Sequence, residues 1–228
     1  MVTPQTRTKP GILIRAIAWL LRWFFYLLYH QFSWIYDLVA WIVSLGQWQT
    51  WVNSVIPYIH TPLVLELGHG PGHLQATLSQ QGVHCIGLDL SKQMGRQAYR
   101  RLQNIHIQPD LINARSQQMP FAGGAFPQIV ATFPSEYIAD PKTLAEIYRI
   151  LTPGGTAVVL LFAWITGQNA IEKFAAWLFH VTGESPIWND SYLTPACSAG
   201  FITNYETILL PKSKLLVLHF NKPIGKNP

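Results

Sequence analysis

Charge is scarce in this chain. Asp, Glu, Lys and Arg make up 12% of 228 residues, about half the usual ~25%. With 49% of residues apolar, a chain of this length excludes a disordered or charge-solvated polymer and can bury a core without staples. Cysteine is nearly absent. Cys85 and Cys197 are the only two, and they do not form a C-x-x-C pair. That excludes a disulfide framework and a thiolate metal site, and makes a reducing, cytoplasmic setting the expectation. Acidic residues number 11 against 16 Lys and Arg, giving a net charge of +5 and a pI near 9.3. The cations are dispersed rather than run together, so nucleic acid is not an expected partner. No internal repeat is visible, and no A-x-A cleavage site follows the apolar amino end.

What is abundant is tryptophan, and it is local. Trp19, Trp23, Trp34, Trp41, Trp48 and Trp51, six of the nine, precede residue 52. Residues 1–10 read as a disordered tail. On a wheel of about 100° per residue, residues 11–37 gather Arg15, Arg22, Tyr26, Tyr29, His30, Ser33 and Asp37 into one narrow stripe. Trp19 intrudes on it, and nearly everything else is apolar. Such a helix either caps the protein, lies in a membrane interface or spans a bilayer. Arg22 and His30 weigh against a span, and the three readings stay open. Residues 11–45 are carried forward as a candidate for peripheral contact with the inner face of a membrane.

The texture changes after Pro62. The sequence predicts strands at 63–67, 84–89, within 105–113, at 127–133 and at 156–162. Between them it predicts helices at 73–82, 91–104, with Ser91 as N-cap, and 140–151, with Asp140 as N-cap and Pro141 behind it. Pro153-Gly154-Gly155 reads as the stop of the last of these. A further helix is expected at 170–181, a short one after Gly46, and a terminal pair of strands over 200–220 around Pro-Lys-Ser-Lys. Alternation of strand and helix means a parallel sheet covered on both faces. The expected organisation is a tail (1–10), an apolar helical cap (11–60) and an α/β domain (61–228).

Between the first strand and its helix stands LELGHGPGHL, with Gly68, Gly70 and Gly72 at alternate positions. In α/β sheets ligands bind at this carboxyl end of the strands. Glycine lets a backbone approach a ligand closely and reaches positive φ. The pattern is G-x-G-x-G rather than the dinucleotide G-x-G-x-x-G. Glu66 stands two residues before it, and Asp89 closes the second strand, where a carboxylate can accept both hydroxyls of a ribose.

VLELGHGPGHL, IGLDLSKQM, QQMPFAGGAF and LAEIYRILTPGG together resemble the class I S-adenosylmethionine-dependent methyltransferases, in the branch of ubiquinone/menaquinone-biosynthesis and phospholipid N-methylating enzymes. The resemblance covers roughly residues 33–220. It implies a Rossmann-like sheet of seven mostly parallel strands with the last antiparallel, and S-adenosyl-L-methionine as co-substrate. It further implies that Glu66, Gly68, Gly70, Gly72, Asp89, Leu90, Ser116, Gln117 and Phe133 form the cofactor site, and that Tyr36 closes the site from the cap. Two departures stand out. Arg115 replaces an acidic residue of the family pattern in ARSQQMPF, which puts the adenine contact in doubt. Phe126-Pro127 replaces the usual Phe-Asp.

Methyl transfer from a sulfonium needs alignment and desolvation more than proton chemistry. Where the acceptor must lose a proton, the candidate groups are His69, Tyr137, His73 and Glu136, with His69 and Tyr137 foremost. An aromatic, charge-poor cap suggests a hydrophobic, lipid-like acceptor such as a quinone precursor or a lipid head group. A soluble acceptor and a non-catalytic cofactor binder are the alternatives, and the glycine spacing argues against a nicotinamide oxidoreductase. The acceptor atom and the oligomeric state are not legible in the sequence.

Overall fold

The computed structural model describes residues 44–167 and 189–225. Helix α1 (Trp48–Asn53) and a 3-10 turn at 56–58 lead into strand β1 (Leu63–Leu67). There follow α2 (His73–Gln80), β2 (His84–Asp89), α3 (Lys92–Asn104), β3 (Leu111–Asn113), β4 (Phe126–Thr132), α4 (Pro141–Ile150) and β5 (Leu151–Ile165). After residue 189 come α5 (Thr194–Ser198), β6 (Ile202–Leu210) and β7 (Ser213–Asn221). The seven strands form one sheet in the order β3-β2-β1-β4-β5-β7-β6. The first five pair in parallel, whereas β7 runs antiparallel to both β5 and β6. This is the expected Rossmann-like arrangement, and it puts the strand reversal between β1 and β4, where α/β sheets open a crevice.

Period-two alternation divides the core. Leu65 and Leu67 of β1 join Phe126, Ile129, Leu144 and Ile147 on the α4 face, while Val64 joins Trp51, Leu74, Leu78 and Val130 on the α1–α2 face. The caps lie where the sequence placed them. The Ser91 hydroxyl accepts from the Met94 N–H at 3.3 Å, and Asp140 accepts from the Lys142 N–H at 2.9 Å.

Two boundaries differ from expectation. β5 begins at Leu151 and runs through Pro153-Gly154-Gly155, which the sequence predicted to separate helix from strand. A register irregularity between Phe126 and Gln128 absorbs the break. Lys222 clasps it from β7's end, with Gly154 N–H to Lys222 O at 3.0 Å and Lys222 N–H to Gly155 O at 2.9 Å. Pro127 is thus the second residue of its strand rather than the first, and it sits at this irregularity, where a missing N–H is harmless. The short α5 and the 3-10 turn at 136–139 were not foreseen. The helix expected at 170–181, the tail and most of the apolar cap lie outside the described residues. Among the described residues no helix is long and apolar enough to cross a membrane.

Candidate functional site

The glycine turn joins β1 to α2 at the carboxyl end of the sheet. Gly68, Gly70 and Gly72 have φ of 72°, 52° and 80°. At Gly72 a Cβ would stand 2.9 Å from Ala98 Cβ and 3.0 Å from Ala98 Cα, so glycine is what allows α2 to start against α3. At Gly70 the reverse holds: nothing lies within 4 Å of where a Cβ would be, and the backbone borders open space. Gly70 is nevertheless fixed, because its N–H donates to Asp89 Oδ2 at 3.0 Å. The Ser91 N–H donates to the other oxygen, Oδ1, at 2.7 Å. Arg101 adds a hydrogen bond to Pro71 O, which ties the turn to α3. Gly72, in the left-handed conformation, caps α2 with no side-chain cap hydrogen bond.

Asn113 was not singled out from the sequence. Its amide donates to Asp89 O at 2.9 Å and to Leu90 O at 2.8 Å, holding the segment that carries Asp89. Its signal was a polar residue ending β3 beside the end of β2. Leu90 itself projects outward, 62% exposed. A cleft of about 470 Å³ opens here, with His69, Asp89 and Ser91 at one end and Arg96, Tyr99, Arg100 and Leu111 at the other.

Beneath the turn lies a buried polar cluster. Glu66 is paired in register with Gly87 of β2. Gln75 of α2 packs so closely over Gly87 that a Cβ there would meet its Nε2 at 1.9 Å, and the His69 ring at 2.9 Å. Glu66 Oε2 and both amide atoms of Gln75 are buried without a hydrogen-bond partner. Burial, and secondarily the Asp89 charge, pushes the Glu66 carboxyl well above its usual range. Burial lowers the His69 pKa against the opposing pull of Asp89. His69 Nδ1 lies 2.7 Å from Gly70 O. A carbonyl oxygen can only accept, so Nδ1 carries the proton and Nε2 of the neutral ring is bare.

Tyr137 closes over the turn from the other side. Its hydroxyl donates to Leu67 O at 3.1 Å and stands 2.5 Å from where a Gly68 Cβ would be. Phe133, just past β4, holds a left-handed φ of 49°. Its ring is 4.8 Å from Trp48 and 6.1 Å from Trp51, so the aromatic amino end reaches the site through α1.

Ser116 and Gln117 are spent on α4: the Ser116 hydroxyl lies 3.0 Å from Thr143 Oγ1, and the Gln117 amide donates to Asp140 at 2.9 Å. Neither has a hydrogen bond to Asp89 or to the glycine turn. Glu146 and Arg149, also missed from the sequence, pin the Met119–Phe121 loop: Met119 N–H donates to Glu146 at 2.6 Å, and Arg149 donates to Phe121 O at 2.7 Å. His73 opens α2, while Glu136 and Arg115 are exposed. Tyr36 lies outside the described residues. Among the described residues no group of His, Cys, Asp and Glu could hold a metal ion.

A family profile described as a methyltransferase domain matches residues 64–155. Over 102 residues the chain is 33% identical to a demethylmenaquinone methyltransferase of Thermus thermophilus, which covers 43% of this chain and 46% of that protein. Over 124 residues it is 29% identical to a ubiquinone/menaquinone biosynthesis C-methyltransferase of Klebsiella pneumoniae, covering 52% and 49%. The chain thus spans about half the length of the curated relatives it matches. Among solved structures it is similar to a phosphoethanolamine N-methyltransferase of Haemonchus contortus, with a TM-score of 0.58 and 15% identity over 78% of this chain and 53% of that one. It is also similar to geranyl diphosphate C-methyltransferase of Streptomyces coelicolor, with a TM-score of 0.58 and 13% identity over 76% and 78%. Those two likenesses speak to the fold. The profile match marks residues 64–155 as a methyltransferase domain, and the two likenesses show that the fold around it is the class I, Rossmann-like one.

Proposed function

We propose that this protein transfers a methyl group from S-adenosyl-L-methionine to a small, hydrophobic acceptor, a quinone precursor or a lipid. The observation that carries the reading is the clasp of Gly70 onto Asp89 beside open space. The residues present fit the cofactor. Each Asp89 oxygen uses one lone pair on a backbone N–H and keeps another for a ribose hydroxyl. The amino end of α2, which carries no side-chain cap hydrogen bond, suits a carboxylate. Leu90 and Phe133 supply apolar wall at the ends of β2 and β4.

When bound, S-adenosylmethionine supplies an activated methyl group for in-line displacement. The chain's part is to orient and to exclude water. Tyr137 has its hydroxyl proton committed to Leu67 O, which makes it a positioning residue for the Gly68 backbone. His69 fixes the Gly70 carbonyl through Nδ1 and keeps a bare Nε2, the candidate acceptor for a proton leaving the substrate. Ser116 and Gln117 join the cofactor site in this reading through the loop they hang on α4. Tyr36 and residues 11–45 complete it as an apolar cap with peripheral membrane contact, on the cytoplasmic side. The names of the Thermus and Klebsiella relatives support a quinone-type acceptor.

The test incubates the full chain with methyl-labelled cofactor, host lipid extract and a demethylated quinol. Label in the organic phase supports the proposal, and mass analysis names the acceptor. Cofactor binding without lipid-phase label moves the acceptor to a soluble molecule, or leaves a non-catalytic binder. Absence of cofactor binding overturns the reading.

A further inference from the structure

Helix α3 is one-sided in charge. It carries Lys92, Arg96, Arg100 and Arg101 and no acidic residue. Met94, Ala98 and Leu102 face the sheet and are buried. Lys92, Arg96 and Arg100 follow at intervals of four, which aligns them along the opposite face over about 12 Å of helix. All three are exposed, and among the described residues none has a hydrogen bond or ion pair. Nearby acids are otherwise engaged: Asp89 accepts from the Gly70 and Ser91 N–H groups, and Asp110 pairs with His84 at 2.8 Å. The same face exposes apolar surface. Tyr99, beside Arg96 and Arg100 on the helix, is 52% exposed, and Leu90 and Ile105, exposed by 62% and 37%, flank the two ends of the helix. The 470 Å³ cleft separates Arg96, Tyr99 and Arg100 from the edge strand β3.

We propose that this face of α3 docks on an anionic lipid bilayer. Exposed cations with an exposed aromatic ring among them and apolar side chains at both ends are what an interfacial surface requires. A tyrosine among them suits the headgroup level. The spread of three cations over about 12 Å matches a charged plane rather than a single phosphate. The exposed apolar residues distinguish the face from a nucleic-acid groove. The inference concerns a surface other than residues 11–45 and does not depend on the identity of the acceptor.

The test is sedimentation of the full chain with phosphatidylcholine vesicles, with and without phosphatidylglycerol, for the wild type and for Arg96→Gln/Arg100→Gln. Each cation near an anionic surface contributes enough that losing two weakens partitioning about thirty-fold. The expected result is that loss on anionic vesicles, no change on neutral ones, and convergence of the two proteins at high salt. Both side chains are exposed and, among the described residues, make no hydrogen bond or ion pair, so the variant keeps the wild-type melting temperature, which separates this outcome from loss of the fold. Equal partitioning of variant and wild type on anionic vesicles overturns the proposal. So does equal wild-type binding to neutral and anionic vesicles, which assigns docking to apolar insertion elsewhere. So does displacement from vesicles by an oligonucleotide at equal phosphate.

Discussion

Adding one methyl group at Gly70 and at Gly72 separates folding from binding. Both residues have left-handed φ, 52° and 80°, so alanine at either position costs roughly 1–2 kcal/mol of backbone strain. At Gly70 that is the whole cost, because nothing lies within 4 Å of the new Cβ. A chain of this size then melts about 2–8 °C lower. At Gly72 the Cβ meets Ala98 Cβ at 2.9 Å and the α3 backbone at 3.0 Å. Overpacking adds about 1–3 kcal/mol, and because a helix backbone cannot rotate aside, the total reaches about 2–5 kcal/mol. The ligand sees the opposite order. On the proposed reading the Gly70 methyl occupies the space the cofactor enters, so Gly70→Ala should lose at least about ten-fold in affinity for S-adenosylmethionine. Thermal melts and calorimetric titration of both variants make the comparison. Wild-type cofactor affinity in Gly70→Ala, or a melting temperature as low as that of Gly72→Ala, would refute the reasoning.

Three further outcomes follow from the same geometry. Burial raises the Glu66 pKa well above that of its unfolded counterpart, which ionises above about pH 4.5, so Glu66 removes stability as pH rises through that value; Glu66→Gln should gain on wild type in melting temperature as pH rises from about 4 to about 8, in melts run across that range. Tyr137→Phe removes the hydroxyl bond to Leu67 O, which should cost about 0.5–1.5 kcal/mol and raise the cofactor Kd severalfold while the ring still packs; an unchanged Kd would deny Tyr137 its positioning role. Glu146 is held below its usual pKa, first by Arg149, so Glu146→Gln should lose about 1 kcal/mol at neutral pH and the deficit should close as pH falls through and below about 4.5, as read from urea midpoints.

The fold was largely legible because its signals are local. LVLEL between Pro62 and Gly68, HCIGLD ending in Asp89, and Asp140-Pro141 ahead of a helix each carry their own boundary. Pro153-Gly154-Gly155 misled because its conformation is decided by partners far along the chain, Pro127 in β4 and Lys222 beyond β7. In the candidate site, the turn of Gly68, Gly70 and Gly72 stands beside Asp89. Asn113 and Arg149 were not legible, since each acts through side-chain bonds to backbone carbonyls more than 20 residues away. The geometry ties Ser116 and Gln117 to α4, a partnership their spacing in sequence did not suggest.

The polar atoms left unmet beneath the glycine turn carry the last step of the argument. Burying Glu66 Oε2 and the Gln75 amide without partners costs on the order of 1–3 kcal/mol for each group. An apolar pair of the same shape would avoid that cost. Gly87 makes the arrangement more specific still, because any side chain there would collide with Gln75 Nε2. Two positions, Glu66 and Gln75, therefore keep unsatisfied polar groups beneath the glycine turn, and Gly87 makes room for them. Departures from the rule of satisfied burial concentrate at functional sites. Their position here, below Gly70 and beside Asp89, supports the same proposal as the clasp, that this end of β1 and β2 receives a bound molecule.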